Sequence, residues 1–447
     1  MKIFTNRATW IVAVLLLFAA TWSSTAYYFG LTQTEFLPKI VRVVASQPLA
    51  VWHRKDLEYV ETLTNSYWHG MRKTDKNIEA GRSWRAFSDR TDGLRFIAYS
   101  GARLPLERIP FVHERIDAPH LVELRRRENF GAIYNPEASE YEKILSLANW
   151  VGSLFDHGRD IPPGGYKVDR VADVVSAGKM GAKFWCEVAA RIMTHTATAM
   201  GWPARLVTIS RDGYDWNHAV TEVWSNQFEK WFQIDTDFNV VYEISGVPQS
   251  VFDLVTLRDS GESLSDLKIR KIAPAKRHFL ERDGVNYYEA LLALELFNYA
   301  HIDMRTDWAT RKLSRGSPAG GDLATRRFGG KGIGPLLTAI PEYDDYQDIN
   351  WPLNSTAVLP RDLTSSQGLD ATLNIGVTTY SPYFRAFEYS LNDGDWLRTT
   401  KGEIHVRLAR GYNRAQFRVI TQNGSRGPVS SLDLVWEVEA NTSLSLP

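Results

Sequence analysis

Three residues in the middle of the chain have the types and the order of a nucleophile, a base and an orienting acid. Cys186 is the only cysteine among 447 residues, and His218 and Asp235 follow it. A thiolate attacks a carbonyl carbon, an imidazole moves the proton, and a carboxylate fixes the imidazole tautomer. A lone cysteine can instead be a small buried hydrophobe. The three residue types in this order favour acyl-transfer chemistry.

A helix is expected to present the cysteine at its first turn. Apolar residues follow Cys186 at helical spacing, and Gly201 and Pro203 end the pattern. The apolar positions are Val188, Ala189, Ile192, Met193, Ala197 and Met200. Unpaired N–H groups and the dipole at a helix start favour a thiolate, so we expect the pKa of the Cys186 thiol to fall by about one to several units.

Strands are expected to carry the histidine and the aspartate. Runs with strand composition cover 204–210, 218–225 and 230–236. A short turn centred on 226–227 joins the last two into a hairpin, which places His218 opposite Asp235. Facing side chains in such a pair have Cβ atoms about 4.5–5.5 Å apart, a reach that suits a carboxylate–imidazole hydrogen bond.

Four sequence motifs carry a family resemblance. They are a GxxGxxxxCxxxA pattern around Cys186, GWPARLV at 201–207, NHAVTEVW at 217–224 and KWFQIDTDFNVVY at 230–242. Together they resemble the transglutaminase-like superfamily, a rearranged relative of the papain architecture, over about residues 136–245. The resemblance implies an α+β fold with the cysteine helix packed on an antiparallel sheet. It also implies Cys186 as nucleophile, His218 as base and Asp235 as orienter.

A second amphipathic helix is predicted over residues 139–156, with Ser139 as its N-cap. Members of the family place such a helix beside the cysteine helix, and some use a tryptophan there to donate its indole N–H to the oxyanion. The resemblance therefore suggests Trp150 as a second oxyanion donor. A core position for Trp150 is the alternative.

The first 31 residues predict export. Lys2 and Arg7 precede an uncharged run over 10–31, which is long enough to span a bilayer. The run continues to Leu31, which favours a retained anchor. The small residues at 24–26 offer a cleavage site as the alternative. We therefore expect a membrane-anchored extracytoplasmic protein of the periplasm or cell surface, or a secreted one if the signal is cleaved.

The remaining sequence divides by its patterning. Residues 32–135 mix helix and strand signals, and 136–345 contain the predicted catalytic domain. From Trp351 to the end, short alternating runs separated by turn residues predict a β-sandwich that resembles fibronectin- or immunoglobulin-like modules. Helical patterning is expected over much of 285–313, and a strand over 109–116.

Composition limits the ligands and partners. Lys and Arg together number 52, as do Asp and Glu, so no bulk charge attracts nucleic acid. No cysteine or histidine cluster has metal-ligand spacing, and His195 is interpreted as a surface or packing residue. We expect no cofactor and no metal.

Two functions remain open from the sequence. The first is an exported cysteine hydrolase or acyltransferase that acts on peptide or amide bonds through a thioester. Water as the acceptor makes it a protease or amidase, and an amine makes it a transglutaminase. The second is a non-catalytic scaffold that binds a cell-envelope peptide, protein or glycan in the same cleft. In both cases a peptide or protein is the expected partner.

Overall fold

The fold is taken from a computed structural model of the chain. The structure describes residues 54–70, 80–101, 104, 111–158, 160, 171–211, 218–272, 281–282, 285–286, 288–310, 325–329, 345–366 and 370–437. The predicted export segment at 1–31 lies outside these ranges. Within them, no helix has the length and apolarity needed to cross a membrane.

Helices and strands of the described ranges form a mixed α+β fold. The helices are α1 (Arg54–Asn65), α2 (Ala80–Ser88), α3 (Pro119–Arg127), α4 (Glu140–Gly152), α5 (Val171–Lys179), α6 (Cys186–Ala199), α7 (Val251–Ser260), α8 (Tyr288–Leu292) and α9 (Tyr346–Ile349). The strands are β1 (Trp68–Gly70), β2 (Leu94–Ser100), β3 (Ala204–Ser210), β4 (His218–Ser225), β5 (Lys230–Ile234), β6 (Val240–Ile244), β7 (Val247–Pro248), β8 (Leu267–Lys271), β9 (Glu281–Arg282), β10 (Val285–Asn286), β11 (Tyr299–Asp303), β12 (Thr325–Gly329), β13 (Thr356–Ser366), β14 (Asp370–Tyr380), β15 (Phe384–Leu391), β16 (Leu397–Thr399), β17 (Glu403–Leu408), β18 (Gly411–Thr421) and β19 (Ser430–Trp436).

An antiparallel sheet with strand order β12-β11-β3-β4-β5 supports the cysteine helix. Helix α6 packs on β3 and β4, while α3, α4 and α5 contact it. One apolar core, which includes Ile144, Met193 and Phe232, fills the space between these elements. The predicted fold class and the packing of the cysteine helix on an antiparallel sheet are therefore confirmed.

The C-terminal strands build two further sheets that share a core. One contains β13, β14 and β17 with β1, and the other has the order β16-β15-β18-β19-β2. Buried residues of both sheets, such as Ile375 and Phe417, meet in one apolar cluster. Strands β1 and β2 come from the N-terminal region. The predicted boundary at 351 therefore omits part of this sandwich, because strand pairing over such sequence distances leaves no local signal.

Two other local predictions were wrong. Within the helical pattern predicted over much of 285–313, the structure has only the short α8 and a 3₁₀ turn. The residues that follow in the same pattern form β11, which pairs with β3. The strand predicted at 109–116 is, in its described part, irregular chain with one bridge from Val112 to Arg305. In both places the tertiary pairing outweighs the local pattern.

The chain just before the sandwich strands packs into the core beneath the central sheet. Trp351 is fully buried in the same apolar cluster as Trp231 and Phe111. The indole N–H of Trp231 donates to the Trp351 carbonyl at 2.9 Å. Trp351 is thus a core residue of the part of the chain that contains the central sheet and not the start of a separable module.

Replacing Trp351 by alanine is expected to lower the free energy of unfolding by about 3–5 kcal/mol, because it opens a large cavity in a shared core. Urea denaturation of the full-length chain measures the change. Trp396→Ala is the matched control, since Trp396 is partly exposed. The guanidinium carbon of Arg418 lies over its ring, 3.8 Å from the ring centre. The control should cost about 1 kcal/mol. Equal losses in the two variants would contradict the shared core.

Candidate active site

Cys186 is the first residue of α6. Trp185 before it has extended backbone, with φ −100° and ψ 173°, and acts as the N-cap without a side-chain hydrogen bond. The approach is anchored by Phe184, which is fully buried and whose N–H donates to the Asp156 carbonyl at 3.1 Å. Cys186 as a residue is partly exposed. It is thus held at the helix start by the buried residue before Trp185, and its N–H has no acceptor within the helix.

His218 and Asp235 form a short hydrogen bond in a dry environment. Nε2 of His218 donates to Oδ2 of Asp235 at 2.6 Å, and the two side chains are 2% and 3% exposed. The other carboxylate oxygen accepts from the backbone N–H groups of Asp237 at 3.0 Å and Phe238 at 2.8 Å. These backbone donors fix the Asp235 carboxylate, and the carboxylate in turn fixes the imidazole.

The hairpin that carries this pair has a longer turn than predicted. Ser225 pairs with Lys230 and Thr221 with Ile234, so the turn covers 226–229 and the register differs from the prediction by two residues. Glu229 has a left-handed φ of 54°, which closes the turn. An even shift keeps every side chain on its predicted face. Asp235 therefore reaches His218 from the end of β5 and not from a facing ladder position.

Electrostatics keep a proton on the buried imidazole. Burial disfavours the charged form, but the charge and hydrogen bond of Asp235, followed by contact with Cys186, raise the pKa of His218 well above 6.5. His218 Nδ1 makes no hydrogen bond of ordinary geometry to any described residue. Ligand atoms of His218 and Cys186 nevertheless lie within 4.8 Å of each other. Long contacts of this kind are common in catalytic groups without substrate.

A second histidine–aspartate pair lies beside the thiol. A carboxylate oxygen of Asp237 lies within 4.8 Å of the Cys186 and His218 ligand atoms. Nδ1 of His157 lies 2.8 Å and 3.1 Å from the two oxygens of that carboxylate. His157 follows α4 and bridges to Phe184. The site therefore contains two carboxylates, of which Asp235 holds the histidine that contacts the cysteine.

Sequence reasoning missed both members of this second pair. Asp237 lies two residues after Asp235, and a longer turn in the hairpin model would have placed it opposite His218. No signal in the sequence connects His157 with Asp237, because that contact depends on how the chain after α4 packs beside the approach to α6.

Trp150 lies on α4 and is partly buried. It packs edge-on against Phe130 at 5.3 Å between ring centres. It lines a cavity of about 470 Å³ together with residues such as Asn149 and Arg270, and none of Cys186, His218 and Asp235 is among the lining residues. The oxyanion role suggested for Trp150 therefore stays a prediction. The predicted helix and its Ser139 cap are confirmed, with Ser139 accepting from the Glu142 N–H at 3.2 Å.

One of the comparisons with known proteins covers this site. Residues 131–236 match the family model of the Transglutaminase-like superfamily, a range that contains Cys186, His218 and Asp235. No curated protein matches the sequence. Among solved structures, the chain is similar to the crystal structure of red sea bream transglutaminase at 9% identity and a TM-score of 0.22, over 79% of this chain and 78% of that chain. The family match, which covers the cysteine helix and the hairpin, shows that this chain contains a core of the transglutaminase-like superfamily.

Proposed function

We propose that the protein is a cysteine hydrolase or acyltransferase that uses Cys186, His218 and Asp235 on peptide or amide bonds. The observation that carries the proposal is the 2.6 Å hydrogen bond from His218 to Asp235, with the ligand atoms of His218 and Cys186 within 4.8 Å at the start of α6. The superfamily match supports a cysteine-dependent enzyme, since its members are typically of that kind.

The first half-reaction forms a thioester. With its proton on His218, the Cys186 sulfur attacks the carbonyl carbon, and a C–S bond forms as the carbonyl π electrons move to oxygen. When the C=O bond re-forms, the C–N bond breaks, and the leaving amine takes the proton from His218 Nδ1. Asp235 keeps Nε2 as a donor throughout, so Nδ1 is the nitrogen that gives and accepts protons.

The second half-reaction releases the acyl group. Water or an amine attacks the thioester carbon while His218 Nδ1 takes its proton. The C–S bond then breaks, and the electron pair returns to sulfur as the thiolate, which the imidazolium stabilises. Water gives a carboxylic acid and an amine gives a new amide.

The negative charge that develops on the substrate carbonyl oxygen is stabilised by hydrogen-bond donors that are already in position. The N–H of Cys186, at the first position of α6, points out of the helix start and is the donor that we assign to the oxyanion. One such donor contributes about 3 kcal/mol to a tetrahedral transition state.

We further propose that the catalytic half acts outside the cytoplasm on a peptide or protein substrate. The charged start and uncharged run at 1–31 support export, either anchored or released. A cell-envelope protein or glycan is the partner that such a location offers. Binding without catalysis is the competing function, and the reactivity of Cys186 separates the two.

Asp235→Asn is expected to slow Cys186 alkylation, and any turnover, by up to about 10⁴-fold. The asparagine oxygen would keep the backbone N–H bonds of the aspartate Oδ1, so its NH₂ would face His218 Nε2. That arrangement moves the imidazole proton to Nδ1, and a protonated Nδ1 cannot accept the proton of the thiol. The rate of iodoacetamide labelling at neutral pH measures the effect on the chain's only cysteine.

Asp237→Asn is the matched control. It removes the partner of His157 but leaves the bond between His218 and Asp235, so we expect a loss below about 10²-fold, smaller than that for a full acid–base group. If Asp237→Asn costs more than Asp235→Asn, Asp237 is the orienting residue. If neither variant changes labelling, the triad is wrong and binding without catalysis takes its place.

The raised pKa of His218 predicts how stability changes with pH. A group whose pKa is higher in the folded than in the unfolded state stabilises the fold fully below its unfolded value, about 6.5, and loses that contribution as pH rises through the folded value. The difference in unfolding free energy between wild type and His218→Gln should therefore shrink above about pH 6.5. Urea denaturation across pH measures it, and a difference that grows with pH would contradict the assignment.

A further inference from the structure

Three potential metal ligands meet away from the cysteine. They are Glu114, which follows the bridge at Val112, His120 in the first turn of α3, and His195 in the third turn of α6. Their ligand atoms all lie within 4.8 Å of one another. We propose that these three side chains bind one divalent transition-metal ion, with Zn²⁺ as the best match, and that the ion fixes the catalytic helix to the segments packed against it.

The spacing between Glu114 and His120 suits a shared ion better than a direct bond. Nε2 of His120 lies 3.6 Å from Oε2 of Glu114. A hydrogen bond between nitrogen and oxygen would be about 2.7–3.2 Å long. Two ligands at about 2.0–2.2 Å from one tetrahedral ion lie about 3.4 Å apart. The observed separation is close to the second value.

The two oxygens of Glu114 have different surroundings. Oε1 accepts from the Thr310 hydroxyl at 2.7 Å and from the Arg115 N–H at 2.9 Å. Oε2, in a side chain with no exposed surface, has no hydrogen-bond donor among the described residues. A buried carboxylate oxygen without a donor is costly. An ion at Oε2 removes that cost, while the bonds to Oε1 orient the carboxylate as outer-shell partners of metal ligands do.

His195 is held in the tautomer that binds metals. Its Nε2 lies 3.0 Å from the Thr306 carbonyl oxygen. A carbonyl only accepts, so Nε2 carries the proton and Nδ1 keeps its lone pair. A backbone carbonyl on the second ring nitrogen is a common outer-shell partner of a ligating histidine.

Two imidazoles and one carboxylate are a ligand set that Zn²⁺ favours, whereas Ca²⁺ and Mg²⁺ prefer oxygen ligands only. The site is separate from the nucleophile, because His195 is nine residues after Cys186, about 13 Å along the helix. Through Glu114 and Thr306, the ion would join the segments paired at Val112 and Arg305 to α6. Its role would be structural.

The test uses the full-length chain in a Cys186→Ala background. That change removes the thiol from the second group of potential ligands, Cys186, His218 and Asp237. After chelator treatment, ZnCl₂ is titrated in while bound zinc and the melting temperature are measured. We expect about one Zn²⁺ per chain and a melting temperature that rises with zinc. No uptake in this background would overturn the proposal.

Glu114→Gln tests the ligand set. Glutamine can keep the oxygen that accepts from Thr310 and Arg115, so the fold is expected to persist while zinc affinity falls by more than about 100-fold. His301→Gln is the matched control at another buried histidine and should bind zinc as the background protein does. If Glu114→Gln does not fold, His120→Gln at the partly exposed ligand replaces it. Wild-type affinity in the folded ligand variant, or equal loss in the control, would refute the site.

Discussion

A buried ion pair in the central sheet connects the parts of this molecule. Arg205 and Glu222 face each other on β3 and β4, fully buried, with Nε of the arginine 2.7 Å from a carboxylate oxygen. Burying two charges costs several kcal/mol unless all their polar atoms find partners. Here both the guanidinium and the carboxylate have such partners. The arginine donates to the Ile349 carbonyl and to the Asn350 side chain, and the second glutamate oxygen accepts from the N–H of Val251 at 2.7 Å.

The pair of Arg205 and Glu222 also connects the central sheet to the chain that leads into the sandwich. The Arg205 guanidinium lies between the rings of Trp231 and Trp351, at 4.2 Å and 4.7 Å from their centres. Removing the chain from Asn350 onward would strip the arginine of a hydrogen-bond acceptor and a ring. A buried donor left without its acceptor costs about 1–3 kcal/mol, and more when the donor is charged. Because β4 also begins at His218, the ion pair fixes the strand that carries this histidine.

Sequence predicted the parts of the site that depend on local pattern. The start of the cysteine helix, the strand that begins at His218 and the face of Asp235 follow from periodicity over short windows. The turn length was missed, because Glu229 adopts a left-handed conformation that is not predicted for a glutamate. The second carboxylate pair and the strands that the N-terminal region lends to the sandwich depend on long-range packing. The export segment stays a prediction, as does the unusual reactivity expected of Cys186.

The buried histidines show how strongly one nearby carboxylate changes the pKa of an imidazole. Burial lowers the pKa of His113 and of His301 to about 3, so both rings are neutral. His301 has an acid nearby, but its Nε2 is 3.8 Å from the Asp303 carboxylate, beyond hydrogen-bond range. His218 is as deeply buried, yet a 2.6 Å bond to Asp235 reverses the direction of its shift. Attraction between charges rises steeply at short range in a poorly solvated site. About one ångström of approach, set by the backbone donors on Asp235, therefore separates a neutral core histidine from one whose pKa is raised well above 6.5 beside Cys186.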